Sequence, residues 1–117
     1  MKIITNEQYR YIEYCLFNYN QLLSSTNVTE QKVLKAINET INYFRGTQHE
    51  IMMREYYFNS KAYLKKYTKA GHYTHVCLDL IHTEEPNGYV IRREIVYRAA
   101  MMYYALGIFT VKNFEEN

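Results

Sequence analysis

The sequence predicts an all-α fold: an N-terminal helical hairpin followed by a C-terminal helix-turn-helix. Three observations predict it. Apolar residues recur at i, i+3, i+4 spacing in successive segments. Most of those segments open on a hydroxyl residue suited to capping a helix. The single proline and the few glycines stand at or near expected segment ends rather than inside strand-like runs.

Thr5-Asn6-Glu7-Gln8 fits a capping box, with Thr5 as N-cap and Gln8 as its partner. A helix is expected from there to about Leu23. Ile12, Cys15, Leu16, Tyr19, Leu22 and Leu23 form its stripe, and Tyr11, Tyr14 and Phe17 widen the apolar surface. After a loop over Ser24 to Asn27, Thr29 is expected to cap a second helix. Val33, Ala36, Ile37, Thr40, Ile41 and Phe44 trace its buried face, and Gly46 ends it. The two helices predict a hairpin over residues 1–46, serving dimerisation or partner contact.

Thr47-Gln48-His49-Glu50 is a second capping box, opening a helix from Gln48 to about Phe58. A fourth, lysine-rich helix is expected from Lys61 to Ala70, closed by Gly71. Val76, Cys77, Leu80 and Ile81 mark a short fifth helix. Thr83 is the expected N-cap of a sixth, which ends at Gly107. Gly88 is unfavourable inside a helix, which leaves open a second start near Asn87, with Pro86-Asn87 as the turn. The segment 47–107 is thus the helix-turn-helix region, and 108–117 is an irregular tail.

Length and composition fit one globular, soluble domain. No apolar run approaches a membrane span, and the N-terminus lacks the apolar core of a signal peptide, so a cytoplasmic location in a bacterial host cell is expected. Cys15 and Cys77 read as separate buried thiols. The fourteen tyrosines fit core filling and AT-rich coding better than base stacking. Net charge is +2, but residues 45–71 hold six basic side chains against two acidic. A clustered basic patch can attract phosphates, and Lys61, Lys65, Lys66 and Lys69 are the phosphate candidates.

The short fifth helix, the turn and the longer sixth helix make a helix-turn-helix, whose second helix would enter the major groove N-terminus first. Ile91, Ile95, Ala99, Met102 and Leu106 share one face of it. At ~100° per residue, Tyr89, Arg93, Tyr97 and Ala100 lie opposite, with Arg92 on the flank. Arginine pairs bidentately with guanine or with phosphate. The base-facing candidates are Asn87, Tyr89, Arg92, Arg93 and Tyr97.

Three pieces carry a family resemblance: Arg54-Glu55-Tyr56-Tyr57-Phe58-Asn59, Val76 through Glu84, and Ile91-Arg92-Arg93-Glu94-Ile95-Val96-Tyr97-Arg98-Ala99 on to Gly107. The stretch from Glu50 to Gly107 resembles the C-terminal part of phage late-transcription activators, the RinA, ArpU and LtrC group. Their DNA-binding part looks like region 4 of sigma factors. The pieces match the end of a scaffold helix, the first helix of the helix-turn-helix with its cap, and the recognition helix. The segment Ser60–Thr74 is longer than the family's link, and the turn around Pro86 has one residue more, leaving the recognition register open by one. The resemblance implies a sequence-specific activator of a phage or mobile-element late operon, acting noncovalently on promoter DNA with host RNA polymerase. The oligomeric state is left open; a homodimer would let two recognition helices read a palindrome. Whether an antagonist protein binds is left open.

Other chemistry is less well supported. His72, His75, Cys77 and His82 are zinc-ligand types, but a helix splays His75 and Cys77 apart and there is no second close pair. No metal or other cofactor is expected. No nucleotide-binding or hydrolase motif is present, and Glu84 and Glu85 would diverge on a helix, so no enzyme is expected. The alternative is a protein-interaction module that modulates a transcription regulator without binding DNA.

Overall fold

A computed structural model of the protein describes residues 4–110, and all of its regular structure there is helical. The expectation for residues 111–117 of the tail lies outside the described residues. Helix α1, Asn6–Phe17, opens on the capping box: Thr5 Oγ1 accepts the Gln8 N–H and Gln8 Oε1 accepts the Thr5 N–H. Asn18 interrupts the helix by donating its side-chain amide to the Tyr14 carbonyl, and α2, Tyr19–Leu22, completes it. Ile12, Cys15, Leu16 and Leu22 are buried as their spacing predicts, whereas Leu23 is exposed.

Helix α3, Val28–Tyr43, buries Val33, Ala36, Ile37, Thr40 and Ile41. Its N-cap is Asn27, two residues before the expected Thr29, because the Asn27 side chain accepts the Glu30 N–H. Gly46 has φ +81°, the left-handed conformation expected just past a helix end.

The expected box at Thr47 does not form. Thr47 Oγ1 donates to the Phe44 carbonyl, while Glu50 accepts the Gly46 N–H and binds Arg54. Helix α4, Gln48–Ile51, then widens into a π-helical segment, Met52–Phe58. Its buried residues Met52, Met53, Tyr57 and Phe58 recur at i+5, the π spacing, so the wider turn keeps both pairs inside.

The expected lysine helix does not run from Lys61 to Ala70. Helix α5 covers only Ser60–Tyr63, and α6, Lys69–His75, starts afresh from Thr68, whose hydroxyl accepts the Gly71 N–H. Lys61–Lys65 and Lys65–Lys69 would be like-charge i,i+4 pairs, which oppose a continuous helix, and Thr68 offers a cap instead. Gly71 therefore lies in the first turn of α6 rather than beyond a helix end. A second π-helical segment, Val76–Ile81, continues α6 and ends at His82, which is left-handed at φ 62°.

Helix α7, Glu85–Ala105, begins one residue after the start that a Thr83 cap implies and ahead of the alternative start near Asn87. Glu84 is the N-cap rather than Thr83, whose hydroxyl instead accepts the Asn87 side-chain amide. Pro86 sits in the first turn, where its missing N–H is harmless. The link from the second π-helical segment is therefore only His82–Glu84. Helix α7 is the spine of the fold: α3 packs along it, while α1, α4 and both π-helical segments also touch it. One apolar cluster joins Ile12 and Leu16, Ile37 and Ile41, Met52, Val76, Ile95 and Ala99. Because α7 is covered by several elements, its buried face is wider than one stripe. Gly88, Val96, Ala100 and Tyr103 are buried with Ile91, Ile95 and Ala99, while Met102 and Leu106 are half-buried. Ala100, expected on the outer face, is fully enclosed. Among the described residues no helix is long and apolar enough to cross a membrane.

At Gly88, α7 lies close against Tyr73 of α6 and Cys77 of the second π-helical segment. A Cβ there would collide with the Tyr73 hydroxyl and the Cys77 sulfur. Gly88→Ala is expected to destabilise by ~1–3 kcal/mol through overpacking, although alanine is the better helix former. An unchanged urea midpoint would show that the helices do not meet this closely. His72 is buried and donates Nε2–H to the Glu55 carbonyl, 2.8 Å away. Burial lowers its pKa, partly offset by that carbonyl. Its folded value is thus below the unfolded one, so its contribution is complete above about pH 6.5 and is lost as pH falls. His72→Gln is expected to reduce the loss of stability between about pH 7.5 and pH 5.5 in urea titrations.

Candidate nucleic-acid interface

The site begins with two charged residues at the edges of buried stripes. Glu13 follows buried Ile12 on α1, and Arg92 follows buried Ile91 on α7. Their side chains are only 19% and 16% exposed and pair at 2.9 Å. Tyr57 donates its hydroxyl to the same Glu13 oxygen, and Arg92 Nε points to the Tyr57 oxygen at 3.4 Å. The guanidinium lies 4.7 Å from the Tyr56 ring centre, 5.2 Å from Tyr73 and 5.4 Å from Tyr89. These rings offer negative faces to a cation that stays charged. Burial, with Glu13 beside it, pushes the Tyr57 phenol well above the usual tyrosine range, so it stays protonated and keeps donating.

Arg92 is therefore folded inward, not presented to solvent. Arg93, one residue on, is exposed, as are Asn87 and Tyr89, which is 56% exposed. Tyr97 is half-buried and meets Tyr9 edge to face at 6.3 Å. Lys61, Lys65, Lys66 and Lys69 are all exposed. The broken lysine helix places Lys61 on α5, Lys65 and Lys66 on the following turn, and Lys69 at the start of α6. Lys69 comes next to the start of α7: it lines a shallow cavity of about 210 Å³ together with Tyr89 and Arg92. Of the two acidic residues at the start of α7, Glu85 is turned inward to accept the Thr74 hydroxyl, and Glu84 stays exposed.

The four zinc-ligand types serve separate contacts. His72 binds the Glu55 carbonyl, His75 pairs with Asp79 at 2.7 Å, Cys77 packs beneath Gly88, and His82 forms the left-handed cap. Both cysteines are buried free thiols.

The sequence reading missed Glu13, Tyr56, Tyr57 and Tyr73 as one unit with Arg92. A signal was present: a charge flanking a buried stripe needs a partner, and Glu13 and Arg92 are such flanking charges on two helices. Compared with known proteins, the chain matches no family model, no curated protein and no solved structure.

Arg92→Ala leaves Glu13 uncompensated and is expected to lower stability by about 3 kcal/mol, read from urea unfolding. Arg93→Ala is expected to change it by less than about 0.5 kcal/mol. Equal effects would mean that Arg92 is not held in the cage.

Proposed function

We propose that the chain is a sequence-specific DNA-binding transcription activator, with the second π-helical segment and α7 forming a sigma region 4-like helix-turn-helix. The observation that carries this reading is the juxtaposition of Lys69 with Tyr89, at the start of an α7 that also exposes Asn87 and Arg93. The three-residue link His82–Glu84 supports it, since helix-turn-helix motifs use turns of about three or four residues. In this reading Asn87, Tyr89 and Arg93 face base edges, with Tyr97 a turn further on. Lys61, Lys65, Lys66 and Lys69 hold phosphates, and Arg92 acts from within by fixing Tyr89 and the rotation of α7. The N-terminal helices α1, α2 and α3 would provide a dimer contact or a surface for RNA polymerase. The operon would be a late one of a phage or mobile element, as the resemblance implies.

The second reading is a protein-interaction module. It is favoured by the exposed tyrosines of α1, above all Tyr14 at 64% exposure.

Binding to promoter and random duplexes over a salt series separates the two. A DNA reader loses affinity steeply as salt rises, because phosphate contacts release counterions. Arg93→Ala is expected to weaken promoter binding by ~1–3 kcal/mol more than random-duplex binding. Lys65→Ala and Lys66→Ala are expected to weaken both equally and to reduce the salt slope. No binding to either duplex at low salt would discard DNA recognition in favour of the interaction module.

A further inference from the structure

A cavity of about 400 Å³ opens between the end of α1 and the lysine-bearing segment. It exists because α5 ends after Tyr63, so the chain arches over residues 64–68 before α6 begins. Its apolar walls are Phe17, Tyr56 and Leu64, and Lys61 and Lys69 line it as well. Leu64 lines the cavity yet is 43% exposed, an apolar side chain left accessible where a ligand could cover it. Among the described residues, no carboxylate lines the cavity and neither lysine forms an ion pair. The size lies within the ~300–1,000 Å³ of small-molecule pockets, which combine a mostly apolar lining with a few placed polar groups.

We propose that this cavity binds a small amphipathic anion. An aromatic or branched apolar body would sit among Phe17, Tyr56 and Leu64, and its carboxylate, sulfonate or phosphate would meet Lys61 and Lys69. The charge pattern selects the class: two unpaired cations beside an apolar wall match an anion with an apolar body and disfavour a cation. His72 also lines the cavity, but its Nε2–H is committed to the Glu55 carbonyl, so the lysines are the anion-binding groups. The site stands whether or not the chain binds DNA.

Two fluorescent probes of matched shape test it on the full chain: 8-anilinonaphthalene-1-sulfonate, an anion, and N-phenyl-1-naphthylamine, its uncharged counterpart. The anion is expected to saturate at one per chain and to bind about tenfold more tightly than the neutral probe, as charge-assisted contacts give. Lys61→Glu combined with Lys69→Glu is expected to abolish that preference while leaving the neutral probe's affinity unchanged. Leu64→Trp fills the cavity and is expected to weaken both probes about tenfold or more. Leu64→Asp, at the same exposed position, is expected to expel the anion preferentially, so the test survives if one variant folds poorly. Circular dichroism and urea midpoints verify that each variant is folded. Equal affinity for the two probes would overturn the anion assignment. Unchanged binding in folded Leu64 variants, or non-saturating binding, would overturn the site.

Discussion

The positions of α1, the first π-helical segment, α6 and the start of α7 depend on where the Arg92 guanidinium lies. A guanidinium stays charged, so once enclosed it requires an anion and polarisable faces around it. Glu13 supplies the anion from α1, Tyr56 and Tyr57 come from the π-helical segment, Tyr73 comes from α6, and Tyr89 comes from α7 itself. A buried pair of this kind adds little net stability over apolar residues of the same size, whereas breaking it strands a charge. Its effect is on arrangement. Turning α7 by one residue, ~100°, would pull the guanidinium out of the rings and leave Glu13 alone.

That constraint determines what α7 can offer to a partner. With Arg92 turned in, Arg93 is turned out, because neighbouring residues on a helix diverge. Gly88 lets α6 approach α7 closely enough for the Tyr73 hydroxyl to reach the Glu85 carbonyl at 2.8 Å. Tyr73 is then near enough to join the cage, and Lys69, one turn earlier on α6, is brought beside Tyr89. The break after α5 matters as much. A continuous lysine helix would present one charged face, whereas the observed break puts Lys61 and Lys69 on different helices that line one cavity together with Phe17 of α1.

Local rules were legible at several places where one residue and its near neighbours decide the outcome, though not at Thr47, whose hydroxyl turns back to the Phe44 carbonyl. The Thr5–Gln8 box, the buried stripes of α1 and α3, and the left-handed Gly46 follow from spacing and short-range hydrogen bonding. Caps were less legible where two candidates stood close together: Asn27 prevailed over Thr29, and Glu84 over Thr83. The π-helical segments escaped notice because their i+5 pairs, Met52 with Tyr57 and Met53 with Phe58, also fit a wide α-helical face.

The sequence by itself determined that the chain is helical, roughly where its helices lie, and which residues form most of the core. Helical periodicity and capping depend on residues within about one turn of each other. Only the tertiary structure decided which of two adjacent arginines faces inward, that Pro86-Asn87-Gly88 belongs to a helix rather than to a turn, and that Tyr56 and Lys69 line shared cavities. Those outcomes depend on Glu13, Tyr73 and Cys77, which are distant in sequence and meet α7 only when the core closes.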